Sequence, residues 1–197
     1  MDLDQDYEDI IAVLLDLRKA YPSLSKVILW SLLTKYQMPA LIIDKLRDLH
    51  EHIYYRVRGK TEYSSTWYPE RGLREGCPTS PVLFNIVHQA CIRLAEKRRK
   101  ILAEQNNQKL GIPWSYLPGH SMPPQRVNQY NSETKVHNFT NSLFADDTTV
   151  TGYRTEAYQA VEIYKETMAE FEMKTNDDKQ EEMKLGTIEG GNVRMLG

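Results

Sequence analysis

Cysteine is nearly absent from this chain. Cys77 and Cys91 are the only two among 197 residues, too few for a disulfide framework. Neither has metal-ligand company, so both read as core residues. An excess of one charge is also missing. Net charge is −2, so there is no global basic signature, and a nucleic-acid partner would have to be held by local patches. No apolar run approaches the length of about 18 residues that a membrane span needs. Asp2, Asp4, Asp6, Glu8 and Asp9 near the start lead to the expectation of no secretory leader. These absences lead to the expectation of a soluble, intracellular protein. The apolar share of 41% and charged share of 26% are ordinary for a globular chain, and the length predicts one domain.

Ile10-Ile11-Ala12-Val13-Leu14-Leu15 reads as a buried strand, with Asp16 at its end. A helix is expected over 25–36. A second one carries Ile42, Leu46, Leu49 and Ile53 on one stripe. Residues 54–58 and 66–68 read as a hairpin. A loop over 72–81 leads into a long helix to about 103. Residues 105–140 have no periodicity and read as a long irregular insertion. Strands return at 141–145 and 148–153, a helix at 156–171, and short strands at 173–175 and 181–187. Antiparallel strands with helices on one face make an α+β class. The first strand starts within about ten residues of Met1, and the last residues read as the start of an element. The expectation is a piece of something larger.

Asp16 closes a buried strand, and Asp146 and Asp147 sit together between two short ones. Buried carboxylates are costly unless something cationic meets them, and three in one place repel one another. Hard divalent cations with oxygen ligands remove that cost. An isolated Asp pair in a turn is more often an Asx-turn, so the surrounding residues carry the weight.

Three further stretches stand in fixed order. The first is Val13-Leu14-Leu15-Asp16-Leu17-Arg18-Lys19-Ala20-Tyr21. The second runs Arg71-Gly72-Leu73-Arg74-Glu75-Gly76-Cys77-Pro78-Thr79-Ser80-Pro81 and on into Val82-Leu83-Phe84-Asn85. The third is Asn176-Asp177-Asp178-Lys179-Gln180. With Phe144-Ala145-Asp146-Asp147 between the second and third, the set resembles the palm of a reverse transcriptase of the non-LTR retrotransposon type. Group II intron enzymes are near relatives. The resemblance covers about residue 10 to Gly197. It implies a polymerase palm with a small antiparallel sheet and helices packed on one face. It implies RNA-directed DNA synthesis by two-metal nucleotidyl transfer to a primer 3′-hydroxyl, with Mg²⁺ or Mn²⁺. RNA template, DNA primer, deoxynucleoside triphosphates and a nuclear location are implied too.

Under that resemblance Asp16 and Asp146 bind both metals, and Asp147 is the weaker partner. Tyr21 is the aromatic gate that leaves no room for a ribose 2′-hydroxyl; its alternative is a packing ring. Glu75 and Gly76 face nucleotide or template. Lys179 protonates the leaving pyrophosphate, or is a solvated lysine. Lys97-Arg98-Arg99-Lys100 either touches a phosphate backbone or is a solvated helix face. Two residues depart from the pattern. Glu75 stands where the family usually has Gln, and Tyr21-Pro22 lacks the family's acidic residue after the aromatic. The fingers segment before Asp16 and the thumb after Gly197 are not recognised. Two readings therefore stand beside the enzyme: a catalytically inactive truncated remnant, and a maturase-like RNA-binding module.

Overall fold

The apolar run before Asp16 forms β1 (Tyr7–Leu15), the central strand of a five-stranded sheet. β1 is flanked by β5 (Asp147–Tyr153) and β6 (Glu181–Glu189), with β4 (Asn141–Phe144) and β7 (Asn192–Met195) outside them. Every pairing is antiparallel. Ile10, Ile11 and Val13 are fully buried and Ala12 and Leu15 nearly so. Both alternating faces of β1 are thus covered, which is why its apolar run is continuous. The architecture is the expected mixture of helices and a small antiparallel sheet. The computed structural model describes residues 7–116, 135–144, 146–189 and 192–195. Tyr130, Ala145, Leu196, Gly197 and the prolines at 118, 123 and 124 lie outside the described residues.

The chain divides into two units, each described by itself. Unit one is Met1–Asp16, Lys97–Ile163 and Asp177–Gly197; unit two is Leu17–Glu96 and Tyr164–Asn176. Two helices, α4 (Ser80–Gln105) and α5 (Arg154–Glu170), contribute to both.

Unit one holds the sheet and a second, two-stranded one. β2 (Ile112–Tyr116) and β3 (Lys135–Phe139) pair antiparallel. Within the stretch 105–140, expected to be an irregular insertion, 112–116 and 135–139 are thus strands, and 117–134 lie outside the described residues. The partners are far apart in sequence and Pro113 interrupts the pattern, so local periodicity could not expose them.

A buried ion pair ties the sheet to its helices. Arg99 on α4 and Glu156 on α5 are 2% and 6% exposed, with Nε and Oε1 2.5 Å apart. Arg99 also donates to the carbonyl of Thr140 at 2.7 Å and that of Thr151 on β5 at 2.6 Å. Gly152 is required here, because a Cβ would collide with the Glu156 carboxylate and crowd the Arg99 guanidinium. The run 97–100 is therefore not one charged face: Arg99 is buried, while Lys100 is exposed.

Unit two carries α1 (Ala20–Ser23), α2 (Lys26–Lys35) and α3 (Ala40–Glu51) with the start of α4 and the end of α5. The buried stripe of α3 is Ile43 and His50 with Leu46 half-buried, while Ile42 and Leu49 are exposed. That is rotated from the expected 42, 46, 49, 53 stripe, because His50 has polar partners inside. Its Nδ1 accepts the Arg74 N–H at 3.2 Å, so the proton sits on Nε2, 3.2 Å from Thr79 Oγ1. His50 thereby grips both ends of the loop that bears Glu75 and Gly76. The expected 54–58 and 66–68 strands reduce to isolated bridges, Tyr55 with Trp67 and Arg58 with Tyr63. A short hairpin on its own makes no extended ladder. Cys91 is buried as expected, but Cys77 is only half-buried.

Two predictions follow from these buried polar groups. Arg99→Met or Glu156→Ala leaves an unpaired buried charge or uncapped carbonyls, and each should lower unfolding free energy by about 3–5 kcal/mol. Urea unfolding checks this, and a loss under about 1 kcal/mol would refute it. His50 has a pKa below the ordinary imidazole value because of burial, with Lys26 and Arg74 adding repulsion. The folded state thus binds that proton less readily than the unfolded one. Stability from neutral His50 is complete above about pH 6.5 and is lost as pH falls below it. The melting temperature should drop between pH 7 and 5.5, and His50→Asn, which keeps an acceptor near Nδ1, should flatten that slope.

Candidate active site

β1 and β5 pair with Leu14 against Thr149 and Leu15 against Thr148. Asp16 directly follows the last paired residue of β1, and Asp147 directly precedes Thr148 on β5. β4 meets β5 with Phe144 against Asp147, so a tight turn containing Asp146 joins them. Asp147 is therefore the first residue of β5, and Asp146 stands in the turn, half-buried.

Asp16 and Asp147 line one open cleft of about 430 Å³ with Asp178, Lys179 and Glu181. Asp178 and Lys179 come from a single 3-10 turn, Asp177–Lys179, that precedes β6. Of the expected 173–175 strand only Thr175 bridges, to Leu17. Lys179 Nζ lies 3.2 Å from Asp16 Oδ2, with the lysine side chain 67% exposed and the aspartate 22%. An ion pair that open is worth only about 0–1 kcal/mol, so the ammonium can leave without much cost. Asp178 and Glu181 were not anticipated as cleft residues. Their signal was the charged stretch around Lys179, which local pattern alone assigns to solvent.

Four carboxylates face one ammonium in this cleft, an excess that favours a divalent cation over further lysines. Among the described residues, no three His, Cys, Asp or Glu side chains form a set that holds a metal alone. Mg²⁺ does not demand one, since it is usually bound by one or two carboxylates plus substrate phosphates and water. The donor set at Asp16 and Asp147 fits that pattern.

The other site residues named from the sequence lie in unit two. Tyr21, in α1, is half-buried with its ring stacked on Phe84, centroids 4.8 Å apart. Its carbonyl accepts the Leu73 N–H at 3.1 Å. Glu75 and Gly76 are exposed at the tip of the His50-gripped loop. Gly76 has φ 73 with open space where a Cβ would point, so backbone conformation, not room, requires glycine there. A concavity of about 560 Å³ in this unit is lined by Arg18, Lys19, Arg71, Glu172 and Lys174. Arg71 is tied to the Glu172 carboxylate at 2.7 Å. Lys19 adopts the left-handed conformation, φ 49, immediately before α1. Among the described residues, no helix is long and apolar enough to cross a membrane.

The family model described as Reverse transcriptase (RNA-dependent DNA polymerase) matches residues 2–197. The chain is also 33% identical over 79 residues to the Retrovirus-related Pol polyprotein from type-2 retrotransposable element R2DM of Drosophila melanogaster. That alignment covers 40% of this chain and 8% of the polyprotein, so the chain spans a small part of its relative's length. The family match takes in both units, the acidic cleft and the 71–81 loop. The chain belongs to the reverse transcriptase (RNA-dependent DNA polymerase) family.

Proposed function

We propose that this chain carries the nucleotidyl-transfer centre of an RNA-directed DNA polymerase, extending a DNA primer on an RNA template from deoxynucleoside triphosphates. The observation that supports this reading is that Asp16, just past the end of β1, and Asp147, at the start of its partner β5, line one acidic cleft with Lys179. Asp16, Asp146 and Asp147 would hold two Mg²⁺ ions, or Mn²⁺ in their place. Such ions, when bound, lower the pKa of the primer 3′-hydroxyl and neutralise charge on the nucleotide's phosphates.

The chain's own residues supply position and protons. Asp16 and Asp147 are held at strand ends by a ladder that a side-chain rotation cannot disturb, and positioning is most of phosphoryl-transfer catalysis. Lys179 is the proton donor to the leaving pyrophosphate in this proposal. Its exposed ammonium, 3.2 Å from Asp16 Oδ2, can reorient toward an arriving polyphosphate. The basic residues that follow Asp16 in sequence, Arg18 and Lys19, line a concavity with Lys174 that suits an anion. Tyr21 is the sugar-facing gate, its ring stiffened by stacking on Phe84.

Primer extension on an RNA template tests the assignment. Asp16→Asn should cut Mg²⁺-dependent extension by about a thousandfold or more, several kcal/mol of transition-state stabilisation. Asp146→Asn should lose as much and Asp147→Asn less, following the family pattern. An Asp146→Asn protein that extends at the parental rate would give that role to Asp147, which lines the cleft with Asp16. Parental activity in Asp16→Asn would end the proposal.

Sugar choice gives a separate test. Tyr21→Val should raise ribonucleotide incorporation relative to deoxyribonucleotide, since clearing a clash changes discrimination more than overall rate. A competition assay with an unchanged ratio would leave Tyr21 as a packing ring on Phe84 only.

A further inference from the structure

Unit two has a surface that the chemistry above does not use. The bridged hairpin over 54–68 carries five aromatic rings: Tyr54, Tyr55, Tyr63, Trp67 and Tyr68. Tyr54 is 58% exposed, Tyr63 54%, Trp67 47% and Tyr68 69%. Rings that serve a core are turned inward, and scattered single exposures need no explanation. Four on one short hairpin are a patch, and patches mark binding sites.

The rings are held in place. Tyr55 and Trp67 exchange backbone hydrogen bonds at 2.9 and 3.0 Å, and their rings stack with centroids 5.9 Å apart. Tyr54 meets Tyr68 edge-on at 6.4 Å. The Arg56 guanidinium lies 4.3 Å from the Tyr63 ring centroid, a cation–π contact that presents a charge beside an aromatic face. Tyr54, Tyr55, Arg56 and Tyr63 also line a cleft of about 650 Å³ with Asp48, Arg74 and Glu75, while Trp67 and Tyr68 stand outside it.

Local charge supports the same reading. The hairpin itself, residues 54–68, carries Arg56, Arg58 and Lys60 against Glu62, a net of +2 in a chain whose total is −2. This is a local basic patch on a chain with no global one. Exposed aromatics interleaved with arginines match one ligand chemistry above others: bases stack on the rings and phosphates meet the guanidinium groups. Base faces are open only in an unpaired strand, so the ligand is single-stranded. Glu75 on the cleft wall keeps it from being a plain phosphate trap, because a carboxylate accepts from base amino groups.

We propose that the 54–68 hairpin and the cleft it lines bind unpaired nucleic acid, stacking bases on Tyr54, Trp67 and Tyr68 with phosphates at Arg56 and Arg74. The proposal rests on the polymerase reading in one respect, that the strand held there is the template before it is copied. In the structure the hairpin reaches the loop of Glu75 and Gly76 through the shared cleft, so strand binding and the most family-specific loop are neighbours within unit two.

Fluorescence anisotropy of the whole chain with labelled oligo-U, oligo-dT and a blunt duplex provides the test. Both single strands should bind more tightly than the duplex. A tighter RNA than DNA arm would add the 2′-hydroxyl to the recognised groups. Tyr54→Ala, Trp67→Ala and Tyr68→Ala should each weaken single-strand binding about fivefold to a hundredfold without changing its salt dependence. Arg56→Gln should reduce the slope of log affinity against log salt by about 0.7. Tyr68 is so exposed that its replacement leaves the fold intact, and that variant alone keeps the test decisive. Equal duplex binding, or undiminished affinity in Tyr54→Ala/Tyr68→Ala, would overturn the proposal. So would a dimer in sedimentation equilibrium that the same double variant dissolves, since the patch would then be a contact between copies. Primer extension by the same proteins separates the two readings. Asp16-dependent extension without aromatic-dependent strand binding overturns this proposal alone. Strand binding without extension overturns the proposed chemistry alone.

Discussion

The acidic cleft depends on the register of β1 against β5. Side chains on a strand alternate faces, so a slip of one residue would carry Asp147 to the opposite face. The pairing of Leu14 with Thr149 and Leu15 with Thr148 is held by burial: Ile11, Val13 and Val150 are all 0% exposed. Moving that much apolar surface into water would cost about 1.5–3 kcal/mol per side chain. Two carboxylates that repel each other are thus kept side by side by the hydrophobic residues behind them. The tight turn from β4 adds a second restraint, because it brings Phe144 into register with Asp147 and confines Asp146 to the turn.

The Arg99–Glu156 pair protects the same register from the far end of β5. Arg99 reaches the carbonyls of Thr140 and Thr151 as well as both oxygens of Glu156. These carbonyls flank the hairpin that carries Asp146 and Asp147. A buried ion pair is weak evidence for stability, since desolvation offsets much of its attraction, but it is strict about geometry. His50 has an equivalent part in unit two. A neutral imidazole closes the Arg74–Thr79 loop with one donor and one acceptor, which leaves Glu75 and Gly76 exposed on a loop whose ends cannot drift. In both units the exposed functional positions are held by polar groups that are themselves buried.

Much of this was legible before any coordinates. The six apolar residues before Asp16 have the length and composition of a buried strand, and the long helix expected after the 72–81 loop is α4. The quoted stretches around Asp16, Glu75, Asp146 and Lys179 sufficed to suggest the family. Other features were not legible, for identifiable reasons. β2 and β3 pair across a long separation, which no local window registers. The α3 stripe was misjudged by one position because a histidine, not an isoleucine, is the residue whose partners lie inside. Arg99 sat in a run of four cations that pattern alone cannot divide.

By itself the sequence determined the main helices, the strands that flank Asp16, Asp146 and Asp147, and the residue types available for chemistry, because hydrophobic period and turn residues are local properties. It also determined the family, since motif order is written along the chain. Tertiary structure alone decided which carboxylates share a cleft, Asp16 with Asp147, Asp178 and Glu181, because strand register is set by cross-strand burial and not by spacing. It likewise decided that one cation of the four at 97–100, Arg99, is buried and that four aromatic rings of one hairpin face solvent. Exposure depends on what the rest of the chain leaves uncovered, which no local stretch of sequence encodes.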